Sequence, residues 1–233
     1  MGVEGLQLIA SEFPALLGAT LVNLYVFAAL IPIGFAVGIG VALAQVYGPR
    51  PVAWLASAWE WFFRGVPALV LLFLFFYGLG RFGIDVSAFM AGALAMGFRS
   101  SGYQSQIFRG AIQAVPAGQI TAARSLGMTR TQAVVTIVLP QALRLAIPAW
   151  SNEFSSVLKD TTLVYAIGIN EVMRYARTIY VNNPEMAMIT FLTVALIFWT
   201  LTALGNSGLH WLERRLAVPG FEMRGGSTRP TGK

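Results

Sequence analysis

The chain has 233 residues, of which 56% are hydrophobic and only 11% are charged, with a formal net charge of +6. Soluble domains carry about 25% charged residues, so this composition excludes a soluble enzyme, and the high hydrophobic content excludes a disordered chain. The chain is therefore expected to cross a lipid bilayer several times. Its positive charge is then typical of arginines that orient membrane helices, and not of a nucleic-acid partner.

The first part of the chain contains one long apolar segment and one aromatic segment. A transmembrane helix needs about 20 apolar residues, and the first candidate runs from about residue 16 to 46, with a kink expected at Pro32. The preceding residues, 1–14, contain no Lys or Arg and are predicted to form an external segment. Residues 52–64 are predicted to form an interfacial helix whose tryptophans join the aromatic belt. These tryptophans are Trp54, Trp59 and Trp61.

Four further spans are predicted in chain order. They cover about residues 66–79, 86–98, 147–169 and 186–209. The span at residues 86–98 is followed by a polar stretch that begins at Arg99. Residues 110–146 are amphipathic and basic, and we expect no part of them to cross the bilayer. A basic tail, residues 216–233, follows the last span.

The distribution of basic residues predicts the orientation. Five spans place the termini on opposite sides, and with the N-terminus outside, ten Lys and Arg lie inside and three lie outside. The outer three are Arg81, Arg174 and Arg177. The N-terminus is therefore predicted outside, and the tail and residues 110–146 are predicted to be cytoplasmic.

The cytoplasmic segment carries a long, gapped motif. The motif consists of Ala122-Ala123, then Gly127 four residues later, then Ile137-Val138-Leu139-Pro140. With this spacing, which contains no insertion, the segment resembles the EAA loop of bacterial ABC-importer permeases. Three other groups of residues are similar to the polar amino-acid permease subfamily. They are Arg64-Gly65-Val66-Pro67, Ser101-Gly102-Tyr103 and Leu158-Lys159-Asp160-Thr161-Thr162-Leu163. Thr121 stands where the family usually has Glu, and Gln106 stands at a position that is often acidic.

The resemblance implies an all-α membrane protein with five transmembrane helices of the type I ABC importer permease fold and a cytoplasmic coupling helix. The permease domain would cover residues 15–215, and the coupling loop about 115–146. Contact with the ATPase subunit would be made by Gln119, Thr121, Ala122, Ala123, Arg124, Ser125, Leu126 and Gly127. The bland alternative is an amphipathic loop that lies on the membrane surface.

Local sequence signals predict the same short helix. Pro116 suits a first helical turn, and Gly127 suits the left-handed residue that ends a helix. Thr129 and Gln132 have the spacing of a capping box for a second helix, which Pro140 is expected to break or kink.

The resemblance also implies partners. The chain has no G-x-x-x-x-G-K-[ST] phosphate loop, so ATP and Mg would be bound by two separate ATP-binding subunits, and no cofactor is expected in this chain. A second permease copy or a paralogue, and a periplasmic or lipid-anchored amino-acid-binding protein, would complete an importer in the cytoplasmic (inner) membrane. We predict no catalytic residues and no metal site, since the chain has one His and no Cys.

Charged residues within the predicted spans are candidates for the substrate path. Glu153 and Asp160 are seven residues apart and therefore share a helix face. They either line the path and bind a cationic group of an amino acid, or snorkel and fix the packing of the permease dimer. The polar residues of the third span either bind a carboxylate in transit or hold helices together. They are Arg99, Ser100, Ser101, Tyr103 and Gln104. Arg64 is interpreted as an interfacial anchor.

The leading hypothesis is the transmembrane subunit of an ATP-driven importer of a polar amino acid, which works by alternating access. The alternative is a stand-alone secondary transporter driven by protons through the two acids. A membrane-embedded enzyme lacks support, because the sequence offers no catalytic set.

Overall fold

The computed structural model describes residues 3–216, so the part of the predicted tail from 217 to 233 lies outside the described residues. Helices and short connections make up the described part, in which no strand is assigned, as predicted. The helices are α1 Val3–Tyr47, α2 Arg50–Gly65, α3 Ala68–Phe73, α4 Ala88–Ala114, α5 Ala117–Ser125, α6 Arg130–Ala133, α7 Leu139–Asp160, α8 Val172–Asn182 and α9 Ala187–Leu216. Wider π turns occur at Leu74–Gly78 and Val134–Val138, and 3-10 turns at Leu79–Phe82, Thr161–Ile167 and Pro184–Met186.

Three stretches of the described chain are long and apolar enough to cross a membrane: Gln7–Tyr47, Arg130–Ile167 and Pro184–Leu216. A fourth is formed by α2 with the segment Ala68–Phe82 if the two are counted as one broken span, since they are bent by 106°. The remaining long helix, α4, is polar in its second half, but at 27 residues it is about 40 Å long and can also cross.

Helix α4 tolerates its polar residues because it lies at the centre of the bundle. It packs against α1, α2, α3 and α7, and about half of its residues are buried. Small residues on the facing helices allow this close packing, as is common between membrane helices. Gly34 and Gly38 of α1 face Ser100, Ser101 and Gln104 of α4. A lipid-facing helix would be more uniformly apolar than α4.

We expect Gly97→Ala in α4 to destabilise the protein. A Cβ at this position would lie 2.9 Å from Ile33 Cβ and 3.1 Å from the backbone oxygen of Leu30, which cannot move without shifting α1. Overpacking of this kind costs about 1–3 kcal/mol. Gly110→Ala in the same helix is the matched control, because nothing lies within 4 Å of its added Cβ. Thermal unfolding in detergent should show a lower Tm for the first variant alone; equal Tm values would contradict the packing described here.

The fourth span differs from its prediction. Its helix does not begin near residue 147, because helical turns run without a gap from Arg130 to Ile167. Pro140 does not break this helix, since the π turn Val134–Val138 directly precedes it and Leu139 N donates to Val134 O. A wider turn relieves the contact between a proline ring and the carbonyl four residues earlier. The second half of the predicted loop is therefore the start of the span.

This 38-residue helix is about 57 Å long, so its two ends lie on opposite sides of the bundle. The end that carries α5 is called the α5 end below. The other end carries α8, a helix that the sequence interpretation missed, and is called the α8 end. At the N-terminus, helix α1 starts at Val3, so the described part of the predicted external segment, residues 3–14, is helical.

A buried polar cluster fixes α8 to α1. The carboxylate of Glu171 accepts hydrogen bonds from Asn23 Nδ2 at 3.0 Å, Met173 N at 3.0 Å and Arg174 N at 2.9 Å. The Asn23 carbonyl oxygen in turn accepts from Val172 N at 3.2 Å. Asn23 and Glu171 have no exposed surface. All three of these partners donate to the Glu171 carboxyl group, and an ionised carboxylate, which only accepts, suits such surroundings.

Replacing Asn23 by leucine is expected to lower the stability of the protein by about 2–3 kcal/mol, because a buried carboxylate and a buried N–H each lose a partner. For a chain of this size the apparent Tm should fall by roughly 5–10 °C. The exposed Asn170 gives a control, since its leucine variant removes no buried partner. A Tm within about 2 °C of the wild type corresponds to less than about 1 kcal/mol and would show that the cluster contributes little.

The same variant should be less defective at acidic pH. Burial raises the pKa of the Glu171 carboxyl, while the hydrogen bonds from Asn23 and the backbone lower it. The leucine variant loses one of these hydrogen bonds, so the pKa rises further. An acid with a raised pKa in the folded state costs stability when ionised, and this cost disappears as the pH falls through that pKa. Thermal unfolding of the wild type and the leucine variant between pH 8 and pH 5 tests this, and the difference between their Tm values should shrink as the pH falls.

Candidate functional site

The short helix α5 projects from the bundle with most of its surface uncovered. Among the eight residues predicted to form the coupling helix, only Ala123 is buried, and the other seven are exposed. Leu126, at the end of the helix, is 84% exposed. The exposed face is small and mostly uncharged, with Ala122 at its middle. Such a surface permits close approach of a partner.

Local signals define the end of α5 and the start of α6. Gly127 has φ +86°, and its N–H donates to Arg124 O at 3.1 Å, while Met128 N donates to Ala123 O at 3.2 Å. These two bonds form a Schellman motif. Two residues after the glycine, the predicted capping box is present. Thr129 accepts from Gln132 N at 3.2 Å, and Gln132 accepts from Thr129 N at 2.8 Å.

The α5 helix is braced from below. Ala123 is buried where α5 packs against α6 and the following π turn. Ile120 packs against a core formed by α1, α4 and α7 at this end of the bundle. The guanidinium of Arg130 lies 5.3 Å from the centre of the Tyr47 ring, which ties α6 to the end of α1. A force on α5 would therefore act on three spans.

Thr121 leaves the motif position without a charge. Its side chain is exposed, and its hydroxyl donates to Ala117 O at 3.4 Å within the same helix. Ser125 Oγ donates to Thr121 O at 3.1 Å. Helix α5 thus forms without a glutamate at this position.

A second group of functional candidates lies between α2, α4 and α7. Arg99 of α4 and Asp160 of α7 form an ion pair with 2.6 Å between Nη1 and Oδ2. The Arg99 guanidinium also lies 5.1 Å from the centre of the Tyr103 ring, and Arg64 of α2 lies 5.3 Å from the same ring. Arg64 in turn pairs with Glu60, which is buried. Two guanidinium groups therefore meet at one aromatic ring.

Glu153 continues this polar path along α7. Its Oε1 accepts from Ser100 Oγ at 2.8 Å, and Ser100 accepts from Gln104 Nε2 at 3.0 Å. Gln104 Oε1 accepts from Trp150 Nε1 at 2.9 Å. Glu153 and Asp160 both face α4, as their seven-residue spacing predicts. No positive side chain among the described residues lies within 4 Å of Glu153, which distinguishes it from Asp160.

The five charged groups of this region are three carboxylates and two guanidiniums, which gives a formal charge of −1. The groups are Glu60, Arg64, Arg99, Glu153 and Asp160. We call them the charged site. An unbalanced carboxylate in a region of low dielectric attracts a cation. The charged site therefore combines two guanidinium groups, which suit a carboxylate, with Glu153, a carboxylate without a cationic partner within 4 Å among the described residues.

Ser101, another candidate for the substrate path, has a packing role in this conformation. Ser101 is fully buried, donates to Phe98 O at 2.6 Å and accepts from Trp59 Nε1 at 3.0 Å. Trp59 is partly buried and packs on Phe63 and Phe98, so it joins α2 to α4. Trp54 and Trp61 are exposed, as a belt requires.

Within residues 3–216, no cluster of three His, Asp or Glu side chains has the arrangement of a metal site. The sequence interpretation missed the roles of Glu60 and Trp150. The polar contact of Glu60 could have been predicted, because a single carboxylate in an aromatic, apolar helix needs a partner. Helix α8 could also have been predicted, since Val172, Ala176 and Ile179 have helical spacing after the acidic residue Glu171.

Comparison with known proteins gives a consistent result. The family model described as "Binding-protein-dependent transport system inner membrane component" matches residues 34–218. The chain is 35% identical over 175 residues to the L-cystine transport system permease protein TcyB of Bacillus subtilis, which covers 75% of each chain. It is 32% identical over 182 residues to the probable glutamine ABC transporter permease protein GlnM of Bacillus subtilis, covering 78% of this chain and 84% of that protein.

Solved structures agree with the sequence comparison. A crystal structure of an amino acid ABC transporter with histidines matches with a TM-score of 0.80 and 33% identity, covering 92% of this chain and all of that chain. The MetNI methionine ABC transporter, in an inward-facing conformation, matches with a TM-score of 0.65 at 17% identity and shares the fold.

Proposed function

Because the chain belongs to the family of binding-protein-dependent transport system inner membrane components, we propose that it is the transmembrane subunit of an ATP-driven importer of polar, preferentially cationic, amino acids. It is a membrane-embedded permease, and in ABC transporters of this kind the ATPase is a separate subunit. Relatives named for L-cystine and glutamine transport support an amino acid as the cargo.

The observation that carries the proposal is the exposed, braced helix α5. The contacts on the inner side of this nine-residue helix fix it to the bundle, while its outer face of small residues is left uncovered and available to another protein. Two ATP-binding subunits, each with ATP and Mg, would receive the α5 helices of two permeases, which are two copies or a copy and a paralogue. Closure of the ATPase subunits would move α5, and with it the spans that contact its base.

Cargo selection is assigned to the charged site. The α-carboxylate of an amino acid fits the guanidiniums of Arg64 and Arg99, and a cationic group fits Glu153. In the conformation described here Arg99 is already paired with Asp160. Cargo would compete with Asp160 for Arg99, and this exchange would link binding to a change in the α4–α7 contact. Alternating access then follows from cargo and ATP binding different conformations.

The proposed orientation places the α5 end in the cytoplasm and the α8 end outside the cytoplasmic membrane, with the N-terminus outside and the C-terminus inside. The excess of arginines at the α5 end supports it. An external amino-acid-binding protein would deliver cargo to the α8 end.

Co-expression with an ATP-binding subunit from the same gene cluster tests the proposal. The expected result is a stable detergent-solubilised complex whose ATP hydrolysis rises when the loaded binding protein is added. Proton-coupled amino-acid uptake by this chain alone, without ATPase subunits, would overturn the proposal in favour of a secondary transporter.

A further inference from the structure

An open cavity at the α8 end carries two arginines. It has a volume of about 670 Å³ and lies between the π turn Leu74–Gly78, the 3-10 turn Thr161–Ile167 and α8. Its lining includes Tyr77, Tyr165, Arg174, Arg177 and Thr178. Arg177 and Tyr165 also line a second cavity of about 170 Å³ on the neighbouring side of α8. These two adjoining cavities are called the α8 surface.

The arginines of the α8 surface are not neutralised within the described part of the chain. The ion pairs found there are Arg64–Glu60, Arg99–Asp160 and His210–Glu213, so neither Arg174 nor Arg177 has a carboxylate within 4 Å. The two guanidiniums are three residues apart on one helix and exposed. The α8 surface is therefore a positive patch that complements an acidic one.

The shape of the α8 surface favours a large partner over a small ligand. Small-molecule sites usually bury 70–90% of their ligand in a concave pocket. Here the aromatic side chains stand in the open, with Tyr77 63% and Tyr165 40% exposed. Tyrosine and arginine are also the residues most enriched where binding energy concentrates in protein interfaces.

The α8 surface rests on a rigid base. Ala176 and Ile179 on the inner side of α8 are buried in the core that α8 shares with α1, α7 and α9. The first turn is held by Glu171, whose carboxylate bonds to Asn23 of α1 and to the backbone N–H of Arg174 itself. A partner docked on Arg174 and Arg177 would thus be in mechanical contact with α1.

We propose that the α8 surface is the docking site for an acidic patch on the external amino-acid-binding protein, with Arg174 and Arg177 as the principal contacts. This inference rests on the proposed function, because it requires such a partner. Docking brings the loaded binding protein to the anchored end of α8, from which the Glu171–Asn23 bond leads into the bundle. The charges also steer the encounter of the two proteins.

The test is the ATPase rate of the reconstituted full complex, measured as the cognate loaded binding protein is titrated. The double variant Arg174→Glu, Arg177→Glu is expected to raise the half-saturating concentration about tenfold, since two exposed ion pairs become repulsive. Basal and maximal rates should remain within about twofold of the wild type. The difference from the wild type should shrink at high ionic strength.

The variant Arg81→Glu is the matched control, because Arg81 is exposed at the same end of the bundle but lines neither cavity. Thermal unfolding of each complex separates folding defects from docking defects. An unchanged half-saturating concentration, or a shift no larger than that of the control, would overturn the inference while the stimulated wild type upholds the proposed function. An unchanged concentration with an altered KM for the amino acid would overturn it in favour of a small-molecule site. No stimulation of the wild type would overturn the proposed function, and the inference with it.

Discussion

Replacing Ala122 by glutamate is expected to abolish ATP-driven uptake while the permease remains folded. Ala122 is exposed at the middle of α5, so the longer side chain meets nothing within this chain. A docked ATPase subunit would instead have to cover a bulky carboxylate where only a methyl group stood. An unpaired charge buried at an interface costs about 3–5 kcal/mol, which weakens the contact a hundredfold or more.

Ala117→Glu is the control for this variant. Ala117 is also exposed and lies in the first turn of α5, where a glutamate is compatible with the helix dipole. It is five residues from Ala122 and therefore on another face of the helix. Affinity purification through the ATPase subunit should recover wild type and Ala117→Glu permease but not Ala122→Glu. Equal recovery and equal uptake for all three would rule out α5 as the coupling element.

The second large effect is expected at the ion pair between α4 and α7. Asp160→Asn leaves the Arg99 guanidinium without its carboxylate at a position where both side chains are mostly buried. We expect a loss of about 2–3 kcal/mol in stability and at least a tenfold loss of amino-acid uptake. Uptake into membrane vesicles and thermal unfolding measure the two effects separately.

The charge-swapped variant Arg99→Asp, Asp160→Arg separates the two roles of this pair. It restores the attraction between α4 and α7 but exchanges the positions of the charges. If the pair serves the cargo, stability returns and uptake does not. Recovery of both would show that the pair only fixes helix packing.

Glu153→Gln provides an independent view of the charged site. Removing the carboxylate that lacks a cationic partner should reduce uptake of arginine about tenfold and leave uptake of glutamine little changed. Glu213→Gln in α9 is the control acid, because Glu213 lies outside the charged site. If Glu153→Gln and Asp160→Asn both leave transport and stimulated ATP hydrolysis intact, the assignment of the charged site to cargo is wrong.

The short helix α5 was predictable because its signals are local. A left-handed glycine, a capping box and a proline before the first turn each act within a few residues, and all three operate at Gly127, Thr129 and Pro116. The shared face of Glu153 and Asp160 was predictable for the same reason, since helical spacing is a local property.

Contacts between distant parts of the chain were not predictable from one sequence. Asn23 and Glu171 are 148 residues apart, and no local pattern pairs them. The role of Trp59 depends on α4, whose Ser101 accepts its indole N–H. Pro140 was misinterpreted because a π turn, which has no clear sequence signature, accommodates the proline inside a continuous helix.

Uptake by sealed proteoliposomes tests the central claim most directly. They would contain the permease and its ATP-binding subunits, with ATP and Mg enclosed and the loaded binding protein outside. We predict accumulation of radiolabelled amino acid that requires both enclosed ATP and the binding protein and that Ala122→Glu eliminates. Accumulation driven by a proton gradient alone, without ATP, would contradict the account.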